Sequence, residues 1–146
     1  MHLALLISLA LGAEPAAPVV VRLEEAPAYT IANGKGVAAL QHHAATGSPE
    51  ASLGRLTLQP GATVPEHEHA DASEYLAVLS GTCELTVGAT TWTLGPGDAV
   101  HLARGLKHSA KVPADAKQPL VAVQLYTPGG AEQRFTKGAK APAQKP

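Results

Sequence analysis

Turn signals break this chain roughly every ten residues, and that spacing limits what it can fold into. Fourteen glycines and twelve prolines are spread over 146 residues. Breaks fall at Asn33-Gly34, Pro60-Gly61, Ser80-Gly81 and similar positions, with short runs rich in Val, Ile and Thr between them. The pattern predicts a single all-β domain, built as a sandwich or barrel without long helices.

The runs between the breaks are predicted as ten short strands because they are β-branched or alternate in polarity. They are Val19–Leu23, Gly36–His42, Ser52–Gln59, Thr63–His69, Glu74–Ser80, Thr82–Val87, Thr91–Leu94, Ala99–Leu102, His108–Val112 and Leu120–Tyr126. We expect a spacer and N-terminal strand at 14–35, the barrel at 36–127 and a flexible tail at 128–146. The tail is rich in Gly, Ala, Pro and Lys, so little burial is expected there.

Charge and cysteine content exclude several classes of partner and of fold stabilisation. Eleven basic and twelve acidic residues give a formal net charge of -1, so no basic field exists to hold a nucleic-acid backbone. One cysteine, Cys83, can form neither an internal disulfide nor a cysteine metal cage.

The first eleven residues, MHLALLISLAL, are dominated by apolar side chains. Gly12 and Ala13 follow and are small enough for a signal peptidase, so 1–13 is predicted to be a signal peptide cleaved near that pair. The run is too short to span a bilayer. The prediction is export, periplasmic or secreted, with no membrane span in the mature form. The alternative is a short buried strand or helix.

A dense set of metal-binding side chains lies between Gly61 and His108. His67 and His69 are two apart on a predicted strand, so their side chains project to the same side. A turn at 70–72 returns the chain and places Glu74 near them, and His108 begins a later strand that can complete the set. Three imidazoles and a carboxylate suit one divalent transition metal ion, such as Fe, Mn, Zn, Ni or Cu, and leave coordination positions free.

These residues fall in two motifs that resemble those of the cupins. In the first motif, Gly61, His67, His69, Glu74 and Gly81 stand at the family spacings. The second motif is represented by Gly97, Gly105 and His108, whereas Ala103 replaces its proline and Val112 replaces its asparagine. Neither replaced position is a metal ligand in the family pattern, so the resemblance implies that metal binding is retained.

The resemblance to the cupins implies a fold and a range of functions. The fold is a double-stranded β-helix, or jelly-roll barrel. The family includes dioxygenases, isomerases, decarboxylases, lyases and non-enzymatic binding or sensing proteins, so the ligands alone do not fix the reaction. We expect a metal-dependent enzyme acting on a small molecule, dioxygenase-like or of the isomerase or lyase type, in which Glu74 is a metal ligand and a candidate catalytic residue able to move a proton.

Two other hypotheses stay open at this point. The chain can be a non-catalytic module that binds or senses a small ligand through its metal, or a secreted structural or storage barrel that holds no metal. A homodimer is also expected, because edge strands of small barrels are commonly covered by a second subunit.

The remaining reactive side chains are given structural interpretations. His101 is expected to face outward, His42 and His43 to be polar residues at a strand end, and Cys83 to be a small buried hydrophobe. Asp98 is expected to fix a turn and Arg104 to be solvated.

Overall fold

Ten antiparallel strands form two sheets in the computed structural model, which describes residues 17–43 and 46–145. The strands are β1 Ala28–Ile31, β2 Gly36–His42, β3 Ser52–Leu58, β4 Thr63–His67, β5 Ser73–Ser80, β6 Cys83–Val87, β7 Thr90–Leu94, β8 Ala99–Leu102, β9 His108–Lys111 and β10 Leu120–Thr127. One sheet has the order β1-β2-β3-β10-β5-β8 and the other the order β4-β9-β6-β7. The all-β prediction is confirmed.

Short 3-10 helices are the helical elements of the described residues. They include Leu23–Glu25, Ala32–Gly34 and Ala131–Lys137. No helix in the described parts of the chain is both long and apolar enough to cross a membrane. The predicted signal peptide, 1–13, lies outside the described residues.

The main core lies between the two sheets. Burial alternates strictly along strand β10, because every second side chain faces the other sheet. Its buried residues are Leu120, Ala122, Gln124 and Tyr126. Strand β5 follows the same rule, and its buried positions include Glu74, Leu76 and Val78. Alternation of period two therefore carries polar Glu74 and Gln124 into the interior on the same face as the apolar residues.

The N-terminal strand is not where the sequence predicted it. Residues 17–22 have no regular structure, and Val19 and Val20 are exposed, so the predicted strand Val19–Leu23 is wrong. The N-terminal strand is Ala28–Ile31, which pairs with β2. It was not predicted because AYTI lacks a run of alternating polarity. The other predicted strands are present, with ends shifted by at most two residues.

The C-terminal segment is also corrected. In place of a tail that buries little, the 3-10 helix Ala131–Lys137 packs against the barrel, with Glu132 and Phe135 buried. Phe135 belongs to the main core cluster. Beyond the helix, the Thr30 N–H donates to the Ala139 carbonyl at 2.8 Å, and the Ala141 N–H to the Ala28 carbonyl at 2.8 Å. Residues after Thr127 therefore complete the edge of the six-stranded sheet.

Gly81 closes the turn between β5 and β6, and we predict that it cannot be replaced. Its φ of +73° is in the left-handed region, and an added Cβ would overlap the carbonyl of Pro119. Gly81→Ala should lower the free energy of unfolding by about 2–4 kcal/mol, measured by urea denaturation.

Gly88→Ala is the matched control for this prediction. Gly88 has a φ of +57°, with open space where its Cβ would lie, so only the backbone cost of about 1 kcal/mol is expected there. Equal losses in the two variants would contradict the role given to the Pro119 contact.

Candidate metal centre

Four side chains from both sheets meet at one end of the barrel. His67 ends β4 and lies directly opposite His108, the first residue of β9. Glu74 lies on β5 in the other sheet, and His69 lies in the connection between β4 and β5. The structure therefore brings together all four predicted residues, although β4 ends at His67 and His69 lies in a loop rather than on the strand.

The ligand atoms of His67, His69, Glu74 and His108 all lie within 4.8 Å of one another. Glu74 Oε2 is 2.9 Å from His69 Nε2 and 3.3 Å from His108 Nε2. His69, Glu74 and His108 are buried, and His67 is half-buried. Such a group can hold a metal ion.

Two of the histidines are oriented by backbone carbonyls. His67 Nδ1 lies 2.9 Å from the Pro65 carbonyl, and His108 Nδ1 lies 2.8 Å from the Leu106 carbonyl. Because a carbonyl only accepts, Nδ1 carries the proton in each ring and the Nε2 lone pair is left free. Both Nε2 atoms are buried and have no hydrogen-bond partner among the described residues. Buried, unpaired lone pairs that converge on one point fit a divalent transition metal.

Glu74 is held as a carboxylate by its neighbours. Burial alone raises its pKa, but the neighbouring His108 ring and the hydrogen bonds with His69 and Gln124 more than offset burial, and the pKa of Glu74 lies below the usual range. Gln124 Nε2 donates to Glu74 Oε1 at 2.6 Å, which leaves Oε2 facing the histidines. An ionised, oriented carboxylate is suited to ligation, and the catalytic role of Glu74 stays a prediction.

The turn that contains Gly105, in the second motif, supports the connection between β4 and β5 that carries His69. Gly105 has a φ of +70°, and its N–H donates to the His69 carbonyl at 2.9 Å. The turn forms without the family proline, since the Leu106 N–H donates to the Ala103 carbonyl at 3.1 Å. Val112, in place of asparagine, is fully buried, and its N–H donates to the Ala62 carbonyl at 2.9 Å. The two departures from the motif leave the local fold intact.

A cavity of about 390 Å³ opens beside the four ligands. His67, Glu74 and His108 line it together with Gln124 and Arg134. The rest of the wall is mainly apolar and includes Ile31, Leu56, Leu58, Val64, Leu76, Leu85, Leu102, Ala110, Leu120 and Phe135. The site thus faces a space of small-molecule size with mostly aliphatic walls.

Three polar residues around the ligands, Gln124, Tyr126 and Arg134, were not predicted from the sequence. Gln124 bonds to Glu74, Arg134 Nη1 lies 3.4 Å from His69 Nε2, and Arg134 Nη2 donates to the Tyr126 hydroxyl at 2.9 Å. Alternation along β10 could have indicated that the side chains of Gln124 and Tyr126 face the interior. No local pattern indicated Arg134, because its position depends on the packing of the C-terminal helix.

The other reactive side chains are not part of the group of four ligands, although Cys83 lines the cavity beside it. His101 is exposed and stacks on Tyr75 with ring centroids 4.6 Å apart, and Arg104 is exposed. Cys83 is buried, and burial raises the pKa of its thiol to about 11.

Asp98 Oδ2 accepts from the Gly95 N–H at 2.8 Å, which fixes the turn as predicted. His42 is the last residue of β2, and His43 follows it.

Two antiparallel sheets that enclose three histidines and a carboxylate beside an apolar cavity define a double-stranded β-helix protein with a candidate metal site. A family model described as a cupin domain matches residues 54–126, half of the chain. The chain belongs to the cupin family.

Curated relatives match part of their own length. The xanthan biosynthesis protein XanB of Xanthomonas campestris pv. campestris is 33% identical over 70 residues, 48% of this chain and 15% of XanB. Germin-like protein subfamily 3 member 3 of Arabidopsis thaliana is 36% identical over 113 residues, 71% of this chain and 46% of that protein. The chain therefore spans less than half of either relative.

A solved structure with the same fold is a predicted oxalate decarboxylase from Thermotoga maritima. It superposes with a TM-score of 0.66 at 22% identity, over 75% of this chain and 98% of that one. The similarity shows the fold.

Metal affinity should fall on acidification, because metal and proton compete for the same ring nitrogens. Burial lowers the pKa of His67 to about 4. Burial also acts to lower the pKa of His108, but the Glu74 carboxylate and the Leu106 carbonyl more than offset it and raise that pKa. His108 is therefore the ring whose proton competes at higher pH.

We expect zinc affinity to fall by at least about tenfold per pH unit below the raised pKa of His108, one proton being displaced from that ring. Competition with a chromophoric chelator between pH 8 and pH 5 measures it. An affinity that stays constant over this range would contradict ligation by His108.

Proposed function

We propose that this chain is a metal-dependent enzyme that acts on a small molecule, as a dioxygenase or as an isomerase or lyase. One observation carries the proposal: His67, Glu74 and His108 line a cavity. Structural metal sites are closed by their protein ligands, whereas catalytic sites keep a position open to substrate. The arrangement therefore supports catalysis better than a purely stabilising metal.

The protein's own groups prepare the site for such a reaction. His67, His69, Glu74 and His108 would hold a divalent metal, which would supply Lewis acidity and, if redox-active, oxygen chemistry. Gln124 fixes the Glu74 carboxylate, and the Pro65 and Leu106 carbonyls fix two rings. A substrate that fills the cavity would displace water from its aliphatic walls, which would strengthen electrostatic interactions with the substrate.

Turnover by the metal-loaded protein tests the proposal. Protein loaded separately with Fe(II), Mn(II), Zn(II), Ni(II) or Cu(II) is assayed against small hydroxy acids, dicarboxylates and sugars, with and without oxygen. Wild type should turn over one class of substrate, and Glu74→Ala should lose that activity while keeping its circular dichroism spectrum. Glu68→Ala is the matched control, since Glu68 is exposed.

Ligand binding without turnover in every metal form would overturn the enzyme and leave the binding or sensing module. Wild-type protein that binds none of these ions would overturn both metal-dependent functions and leave the structural or storage barrel.

Export and homodimer formation remain predictions. Export is supported by the apolar residues 3–11 followed by Gly12 and Ala13. Sequencing the N-terminus of the mature protein tests it, and retention of Met1 would contradict cleavage. Sedimentation equilibrium tests the dimer, and a monomer at micromolar concentration would contradict it.

A further inference from the structure

The C-terminal 3-10 helix places one cation at the ligand end of the cavity. Arg134 is half-buried and lines the cavity together with His67, Glu74 and His108. Its guanidinium packs over the ring of Phe135, 4.7 Å from the centroid, and Nη2 donates to the Tyr126 hydroxyl at 2.9 Å. The aromatic contacts hold the guanidinium beside the four ligands.

The charge of Arg134 is left without a carboxylate partner. Among residues 17–43 and 46–145, no acidic side chain lies within ion-pair distance of it. The Glu74 oxygens are already directed at Gln124, His69 and His108. A partly buried cation is costly unless it is paired, so this arrangement favours a bound anion.

The second contact of Arg134 is lost when His69 acts as a ligand. Nη1 lies 3.4 Å from His69 Nε2, which is long for a hydrogen bond, and an Nε2 that donates to the Glu74 carboxylate has no lone pair for Arg134. An imidazole nitrogen has a single lone pair, so a ligating Nε2 cannot also accept from Arg134. His69 therefore supplies no strong acceptor for Nη1 at the edge of the site, whether it donates to Glu74 or would hold a metal.

We infer that Arg134 binds the carboxylate group of a small anionic ligand whose aliphatic part occupies the cavity. Because it names the substrate class of the same site, this inference rests on the proposed function. The planar guanidinium matches a carboxylate in geometry and charge. The aliphatic walls fit an alkyl body, and a divalent ion outweighs the single negative charge of Glu74.

Calorimetric titration of the full chain with 3-methylbutanoate and its neutral isostere 3-methylbutanamide tests this inference. Both zinc-loaded and metal-free proteins are titrated. Wild type should bind the acid at least about tenfold more tightly than the amide. Arg134→Met keeps an unbranched side chain on Phe135 but loses the charge. It should weaken binding of the acid about 10- to 100-fold and leave binding of the amide within about twofold.

Two further variants separate the guanidinium from general effects. Arg134→Lys keeps the charge without the planar donor pair and should give an intermediate loss. If Arg134→Met does not show the wild-type circular dichroism spectrum, Arg134→Lys is the variant that tests the inference. Arg104→Met removes an exposed arginine and should bind the acid as wild type does.

The inference is overturned if neither form of wild type prefers the acid. It is also overturned if Arg134→Met and Arg134→Lys both bind the acid as tightly as wild type does. The same holds if Arg104→Met loses as much affinity for the acid as Arg134→Met does. These readouts do not depend on turnover. An Arg134-dependent preference in a protein that turns nothing over would contradict the proposed function and leave the inference standing.

Discussion

Replacing His67 or His108 with alanine should lower zinc affinity by more than about 100-fold. Loss of a group that only orients a ligand costs about 10–100-fold in affinity, and loss of a ligand itself removes a direct bond to the metal. Each ring is fixed by a backbone carbonyl, with Nε2 buried and unpaired. Their removal should therefore leave the fold intact, as seen by circular dichroism, while chelator competition reports the weakened binding.

His101→Ala is the matched control for the ligand variants. His101 is exposed and stacks on Tyr75, and it does not line the cavity beside the four ligands. Its removal should leave zinc affinity unchanged. Wild-type affinity in both the His67 and His108 variants would contradict the site.

The second large effect is expected when the C-terminal segment is altered. Phe135 is 7% exposed within the core cluster, and Phe→Ala in a core costs about 3–5 kcal/mol. The total stability of a domain is about 5–15 kcal/mol. Phe135→Ala should therefore remove a large share of stability. A chain ending at Thr127, which also lacks the bonds to Ala28 and Thr30, should fail to fold stably.

Thermal unfolding followed by circular dichroism measures both C-terminal variants. Trp92→Ala is the aromatic control: Trp92 is 47% exposed, so its loss should cost less than about 1 kcal/mol. An unchanged midpoint in the chain that ends at Thr127 would contradict the structural role of the segment.

The ligand set could be predicted because it depends on local rules. Alternation along a strand, one turn and a motif spacing place His67, Glu74 and His108 on the correct elements. Even where the strand ended early, His69 reached the site, since the loop is held by Gly105. The same rule of alternation placed Leu76 and Val78 in the core.

The missed features depend on contacts that no local pattern encodes. Ala28–Ile31 is a strand because β2 and residue Lys140 pair with it. The segment after Thr127 is rich in Gly, Ala, Pro and Lys, yet Phe135 fills core space and brings Arg134 to the cavity. One buried aromatic side chain outweighs the polar composition around it, because apolar area removed from water sets the free energy.

Elemental analysis of protein purified without chelators or metal-affinity resin tests the central claim most directly. We expect about one divalent transition metal ion per chain in wild type and almost none in the His67→Ala/His108→Ala double variant. A wild-type protein that stays free of metal after incubation with each candidate ion, or a double variant that retains a full equivalent, would contradict it.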